Sequence, residues 1–438
     1  MNDLGWPFLS AADKEAILLG VESGGCCGGP YHVELHPTDR CTTRCFFCST
    51  RWRREKAELS LEAVRALGRE MQEAGTRSVL LSGGGEPLAH RQTEAMLEAL
   101  ASTGIPLAGV TTNGVGLTGP VRALLRETQC GQVIVSLNCA DEPEYIEMMK
   151  VGPRVFHRVL GHARALVEER ARGGAPKLIL QYLVYKKNFR TIPAMYARAL
   201  ELGADGIMFN GLAYLPAELR MTREETRTML GLFEEVLRAD EYRRILGIHS
   251  FEQDFAEGIQ AIERRIGHER AARGAVRRAA GFLLRRGQTL VEKLEHRRKM
   301  RRRAAVQAFL GTRRDPCIRP WYGVTVRSDG TVPVCCVRQH VPMGSVHRQT
   351  LGEIWRGEAF TRYREQMRKL ILAGDGYRND PADDLLSAAC QFTSTGIRRC
   401  PFRSFYYRED LEFLARLEKL VGPTQGNMQQ AGGERESE

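Results

Sequence analysis

From Tyr31 to Phe209, short apolar runs alternate with longer amphipathic stretches, and this alternation fixes the fold class. Six runs read as strands: Tyr31–His36, Ser78–Leu81, Leu107–Thr111, Gln132–Leu137, Lys177–Val184 and Gly206–Phe209. The stretches between them read as helices over Ser60–Ala74, Gln92–Ser102, Pro120–Glu127, Arg154–Arg170 and Thr191–Leu202. Strands separated by helices of this length are parallel, because the chain needs a crossover to return to the same end of the sheet. Six such units suit an α/β fold, a partial (β/α)6 TIM-like barrel over 31–215. By analogy with closed barrels, chemistry should collect at the C-terminal ends of its strands.

The chain has 438 residues, enough for two or three domains. Residues 1–30 offer an amphipathic helix, about Ala11 to Glu22, and a glycine-rich loop, Gly24 to Gly29. After Gly211 the alternation stops, so 216–312 reads as a helical linker, opening with a helix at Thr222–Arg238. A new domain over 313–421 begins with two short strands, Gly323–Arg327 and Val332–Val337, turning at Ser328-Asp329-Gly330. Helices at Thr350–Leu372 and Ser404–Leu420 follow. The tail 422–438, rich in Gln, Gly, Glu and Ser, is expected to be disordered. No internal repeat is visible.

Charge is concentrated in one place. Residues 263–303 hold 15 Lys/Arg against 4 Asp/Glu, an excess equal to the whole net charge of +11. This segment reads first as a solvated, basic helical insertion. Docking of an acidic partner, of a nucleic acid or of an anionic membrane surface are the other readings. Base-stacking aromatics are scarce there, which disfavours nucleic acid. The chain shows no run of 18 or more apolar residues and no basic-then-apolar N-terminal signal, so a cytoplasmic protein is expected. In that reducing setting its twelve cysteines point to metal or redox use rather than disulfides.

Three of them stand at C-x3-C-x2-C spacing directly after the first strand: Cys41, Cys45 and Cys48, in His36-Pro37-Thr38-Asp39-Arg40-Cys41-Thr42-Thr43-Arg44-Cys45-Phe46-Phe47-Cys48. Three thiolates can hold three irons of a [4Fe–4S] cube and leave the fourth open. A zinc site is the alternative for cysteines so spaced. The run, with the aromatic Phe47 just before the last cysteine, resembles the radical S-adenosylmethionine (SAM) family. That resemblance implies that the open iron takes the amino and carboxylate groups of SAM, whose reductive cleavage yields a 5′-deoxyadenosyl radical. A reducing partner such as a flavodoxin or ferredoxin is implied with it.

The resemblance extends along the barrel. Gly83-Gly84-Gly85-Glu86-Pro87 follows the second strand and resembles the family's Gly-Gly-Glu-Pro element, which implies contact of Gly84, Gly85, Glu86 and Pro87 with the SAM amino group. Asn113 ends the third strand and is expected to shape the pocket. Ser136 and Asn138 end the fourth; the family places ribose and carboxylate contacts there, with Ser136 the first choice. Asn138 is open to that role or to satisfying a turn. Gln181 on the fifth strand is the adenine-side candidate. Cys139 lies beside Asn138, where a thiol could donate a hydrogen atom to a substrate radical; a small buried hydrophobe is the other reading. Cys130 has no such claim, and Cys26 and Cys27 would matter if their loop covers the site. Tyr185, Lys186, Asp141, Glu142 and Tyr214 are acid or base candidates by position alone.

In the last domain, Cys317-x12-Gly330-x4-Cys335 resembles the opening of the SPASM and Twitch extensions, as do Met343-Gly344-Ser345, Ile354-Trp355, Phe360 and Arg364. A full SPASM extension holds two clusters and supplies a dense later cysteine block; this chain offers Cys390 and Cys400. The resemblance therefore implies one auxiliary [4Fe–4S] cluster on Cys317, Cys335, Cys390 and Cys400, with Cys336 as spare or substitute for Cys335. Structural zinc is the alternative. A one-cluster extension is similar to that of dehydrogenases and dehydratases acting on aminoglycosides and aminocyclitols, so a polar sugar-like small molecule is the first substrate expectation. A peptide or protein substrate is the second. A non-catalytic iron–sulfur or zinc protein that binds nucleic acid is the third. No cobalamin-binding domain is visible.

Overall fold

The computed structural model describes residues 6–48, 50, 57–173, 176–211, 217–240, 245–249, 259, 261–262, 265–266, 317–333, 341–373 and 410–421. Its centre is an eight-stranded, all-parallel open sheet. The strands are β1 His32–Leu35, β2 Ser78–Leu81, β3 Leu107–Thr112, β4 Gln132–Ser136, β5 Lys177–Val184, β6 Gly206–Gly211, β7 Leu246–His249 and β8 Gly323–Val326. Their spatial order is β7-β6-β5-β4-β3-β2-β1-β8, as in a partial barrel.

One face of the sheet is sealed. Val33, Leu35, Val110, Val133, Val135, Leu178, Leu180, Ile207 and Phe209 are at most 1% exposed. The crossover helices are α2 Leu61–Glu73, α3 Thr93–Ala101, α4 Gly119–Glu127, α6 Pro153–Ala171 and α7 Ile192–Glu201, with α1 Ala11–Ser23 before them. On the other face Thr111, Ser136, Gln181, Leu183, Met208 and Asn210 are half-exposed, which opens that side as the barrel interior. This period-two split of closed and open residues is the alternation of a strand with one packed face.

Local signals set the helix starts. Ser10 with Asp13 forms a capping box on α1, and Ser60 accepts the Ala63 N–H on α2. A short helix, α5 Glu142–Met149, was not expected; Asp141 caps it and Pro143 occupies its first turn.

Three sequence expectations are corrected. The alternation does not stop at Gly211: α8 Arg223–Ala239 leads into β7, which pairs in parallel with β6. A four-residue strand is too short to show a period. Second, Gly323–Val326 pairs outside its expected hairpin. It is β8, in register with β1 from His32↔Gly323 to Leu35↔Val326. The turn at 328–330 does form, with Gly330 at φ +75° and its N–H on the Arg327 carbonyl at 2.9 Å. Among the described residues the following strand, β9 Thr331–Pro333, is laddered antiparallel to β10 Pro342–Ser345. The edge of β1 thus captures the first arm of the expected hairpin. Third, the expected helix Thr350–Leu372 breaks at Gly357 into Leu351–Arg356 and Glu358–Ala373.

The C-terminal elements grip the N-terminal ones. The Trp321 and Trp355 indoles donate to the carbonyls of Gly25 and Gly28 at 3.0 and 2.8 Å. The loop carrying Cys26 and Cys27 is therefore held against the C-terminal helices. Trp6 and Lys14 both reach Asp410, at 3.1 and 2.7 Å, beside the Leu411–Val421 helix. Among the described residues no helix is long and apolar enough to cross a membrane.

Candidate functional site

The loop after β1 carries the cysteine triplet and is stitched at its base. Leu59 N–H donates to the Pro37 carbonyl at 2.9 Å and Asp39 N–H to that of Ala57 at 2.8 Å. Its middle is pinned to the end of α5, with the Arg44 and Phe46 N–H groups on the carbonyls of Met149 and Met148 at 3.0 and 3.2 Å. Phe46 packs between Phe47 and Tyr185, with both ring centroids 5.4 Å away.

These contacts bring the three thiols to one place. The Thr43 hydroxyl lies 3.4 Å from the Cys41 Sγ and 3.3 Å from the Cys45 Sγ. The Cys48 Sγ is 3.1 Å from the Thr50 hydroxyl, which donates to the Gly84 carbonyl. Burial pushes the Cys45 thiol up to about 11, and the proximity of Cys41 and Cys48 adds to this against the Thr43 hydrogen bond. Among the described residues no three Cys, His, Asp or Glu side chains converge on a single metal ion. A cube takes one thiolate per iron, so thiols that are neighbours without sharing one point fit it.

The glycine loop docks on the cysteine loop. A Cβ on Gly85 would lie 2.3 Å from the Arg40 carbonyl oxygen and 2.6 Å from that of Thr38, so only glycine permits this approach. Glu86 N–H then donates to the Arg40 carbonyl at 2.7 Å. The Glu86 side chain turns inward, 3% exposed. It accepts from the Thr112 hydroxyl and the Asn113 N–H, both at 2.6 Å, and from the Leu88 N–H at 3.1 Å. Burial raises its carboxyl above the usual range, opposed by those donors. Glu86 thus braces the end of β3, and the backbone of the loop is what faces outward. Pro87 is buried in the turn that follows. The braced Asn113 directs its amide to the Thr42 hydroxyl at 2.9 Å, with the Cys41 Sγ at 3.9 Å.

At the β4–β5 rim, Ser136 and Gln181 are register partners, and the Ser136 hydroxyl donates to Gln181 Oε1 at 3.3 Å. Asn138 is placed differently. It is 2% exposed at φ +61°, donates to the Ser136 carbonyl at 3.2 Å and accepts from the Leu183 N–H at 3.2 Å. It serves the turn, one of its two expected roles. Cys139 is fully buried against Met148, with Sγ 3.3 Å from Sδ, and burial raises its thiol strongly. That enclosure favours the buried-hydrophobe reading of Cys139 over the hydrogen donor.

Asp141 is spent as the α5 cap, while Cys130 is buried with its thiol on the Gln132 carbonyl at 3.4 Å. Cys317 is a half-buried thiol. Cys335, Cys336, Cys390, Cys400, Tyr214 and most of the basic segment 263–303 lie outside the described residues.

Sequence reasoning missed Thr42, Thr43 and Thr50, whose hydroxyls knit the triplet to its neighbours; threonines interleaved with the cysteines were the available signal. It also missed Asn210, paired with Leu183 one row beyond Gln181 and Met208, because the strand was ended at Phe209.

The radical SAM superfamily model matches residues 35–196, and the SPASM iron–sulfur cluster-binding domain model matches 317–375. The chain belongs to the radical SAM superfamily. Its match to the SPASM model adds an auxiliary-cluster domain to the radical SAM core. Among curated relatives, a probable GTP 3′,8-cyclase of Sulfurisphaera tokodaii is 30% identical over 38% of this chain and 51% of its own length. A tungsten-containing aldehyde ferredoxin oxidoreductase cofactor-modifying protein of Pyrococcus furiosus is 24% identical over 43% and 53%. The chain spans about half the length of the curated relatives it matches.

Among solved structures, Streptococcus suis SuiB bound to S-adenosylmethionine superposes with TM-score 0.54 at 14% identity, over 79% of this chain and 70% of that one. The fold is therefore that of a radical SAM protein. The radical SAM domain implies a [4Fe–4S] cluster and SAM, and the SPASM domain implies auxiliary iron–sulfur binding.

Proposed function

We propose that this radical SAM protein cleaves SAM reductively and removes a hydrogen atom from a polar small molecule of the sugar or aminocyclitol class. The carrying observation is the inner surface supplied by β3–β6. Thr111 and Asn210 present a hydroxyl and an amide beside apolar Leu183 and Met208, next to the Ser136–Gln181 pair that would take SAM. Such groups match hydroxyls and amines by hydrogen bonding. A triphosphate such as GTP calls for Arg or Lys forks, which these strands do not supply there.

Cys41, Cys45 and Cys48 would hold the cluster, whose electron breaks the sulfonium C–S bond of bound SAM. The backbone of Gly84 to Pro87 would receive the SAM amino group, while Ser136 and Gln181, already bonded to each other, would take the ribose and adenine side. Glu86 acts from behind by fixing Asn113, and Asn113 steadies the cysteine loop through Thr42. Phe46, Phe47 and Tyr185 shield the loop from water. Cys317, Cys335, Cys390 and Cys400 would hold one auxiliary [4Fe–4S] cluster. Dehydrogenation, dehydration or epimerisation would follow, with a flavodoxin or ferredoxin as electron source. The same amide-lined surface also suits a peptide backbone, which makes a peptide the second reading.

The test is anaerobic reconstitution with iron and sulfide, then reduction with SAM and chromatography for 5′-deoxyadenosine. Wild type should hold about eight irons and the Cys41→Ala/Cys45→Ala/Cys48→Ala protein about four, with product from wild type alone. Aminocyclitols should accelerate 5′-deoxyadenosine formation more than peptides do. Reconstituted wild type that forms none refutes the reading.

A further inference from the structure

A buried polar chain, with the Glu34–Arg319 ion pair in it, crosses the inner side of β1 and β8. Glu34 Oε2 accepts from Arg319 Nη2 at 3.2 Å, and Glu34 Oε1 is hydrogen bonded to His36 Nε2 at 3.1 Å. The same Arg319 nitrogen donates to the Thr325 hydroxyl at 2.9 Å. Glu34 is 8% exposed, Arg319 4%, His36 3% and Thr325 0%. Buried charges persist where each is matched by the next, so displacement of one member disturbs the others.

The two ends of this chain give it meaning. Arg319 lies two residues after Cys317, the candidate auxiliary-cluster ligand. His36 directly follows β1 beneath the glycine loop: a Cβ on Gly83 would fall 3.2 Å from the His36 Cβ. Its Nδ1 is buried and has no hydrogen-bond partner among the described residues, so Glu34 supplies the polar contact that orients the ring. Two residues beyond Gly83, Gly85 presses on Arg40 of the cysteine loop. Backbone pairing runs alongside, with His36 N–H on the Val326 carbonyl at 2.8 Å.

We propose that Glu34 is a positioning residue that couples the Cys317 segment to the SAM-holding glycine loop, so that the state of the auxiliary site sets how tightly SAM is held. The inference rests on the cluster assignments of the proposed function. Through Arg319, movement at Cys317 reaches Glu34; through His36 it reaches Gly83. The coupling is mechanical and requires no proton or electron to travel along the chain.

The experiment compares wild type, Glu34→Gln, Cys317→Ala and the double variant, each reconstituted anaerobically. The readouts are SAM affinity, the SAM-induced change in the electron paramagnetic resonance spectrum of the reduced barrel cluster, iron content and Tm. Glu34→Gln should retain the barrel cluster yet bind SAM about tenfold more weakly. Cys317→Ala should do the same, and the double variant should lose no more than either single one.

A purely structural Glu34 would lower Tm while leaving the spectral change and SAM affinity at wild-type values, and that result overturns the proposal. Full additivity in the double variant overturns it too. If Glu34→Gln does not fold, Arg319→Lys, which keeps the charge and loses the Nη2 that joins Glu34 to Thr325, enters the same comparison. A wild-type cluster whose spectrum ignores SAM would instead refute the functional reading itself.

Discussion

Asn113 donates its side-chain amide to the hydroxyl of Thr42 at 2.9 Å. The bond joins the end of β3 to the residue after the first cysteine, and Glu86 holds its donor in place from behind through the Asn113 N–H. Resemblance places this carboxylate at the ligand; here it is 3% exposed and bonded to the end of β3.

Replacing Asn113 tests that layering. Asn113→Ala should lower stability by about 1 kcal/mol, the usual worth of a hydrogen bond, and leave barrel-cluster iron near wild type. Asn113→Asp sets a carboxylate beside Cys41 and should drive the cluster's midpoint potential more negative than Asn113→Ala does. Potentiometric titration under argon reads the difference. Equal potentials in the two variants would count against the contact.

Gly85→Ala should fail for a steric reason. Its Cβ would meet backbone atoms of Asp39 and Arg40 at 2.5 and 2.3 Å, which no rotamer change can relieve. A cost of about 1–3 kcal/mol follows from forced overpacking, with poor cluster loading. Gly152→Ala, at φ −76° with open space around the added carbon, is the matched control and should load iron normally.

Cys139→Ala should leave 5′-deoxyadenosine formation and substrate turnover intact, since its thiol is enclosed against Met148. Cys139→Ser should cost about 1–3 kcal/mol by burying a hydroxyl. Turnover abolished in a stable Cys139→Ala protein would restore the hydrogen-donor role.

Glu144 gives a pH test. Burial raises its carboxyl to about 7, with Asp141 adding to the shift against the Ala140 N–H. A raised carboxyl favours the folded state while protonated, so its contribution declines as pH rises from about 4.5 through about 7. Glu144→Gln keeps an acceptor for Ala140 and removes the charge. Its Tm should exceed that of wild type at pH 8 and match it at pH 5. A constant difference at both pH values would refute the assignment.

Much of the fold was legible because each of the first six strands has a sealed face of Val, Leu and Ile over a helix of matching period. The cysteine triplet and the glycine loop were legible from their positions after consecutive strands. What escaped depended on tertiary partners. Leu246–His249 becomes a strand because β6 offers an edge, and Gly323–Val326 leaves its expected hairpin because β1 does. Glu86 is implied at the ligand by the Gly-Gly-Glu-Pro resemblance, and Asn138 is open between a ligand contact and a turn. The bonds that both make inside the rim, to Thr112, Leu88, Ser136 and Leu183, join strands distant in sequence or turn backbone and so leave no local pattern to read.

The pairing of β8 with β1 also sets a schedule. Thr325 meets Glu34 across a sequence separation of 291 residues. A chain leaving the ribosome N-terminus first therefore carries β1 with a bare edge until Val326 has been made. That edge has unpaired amides, which invite another strand, and an inward carboxylate awaiting its arginine, which discourages one until the distant pairing is made. The cysteine loop immediately follows β1, so its anchorage is completed only after the distant strand arrives.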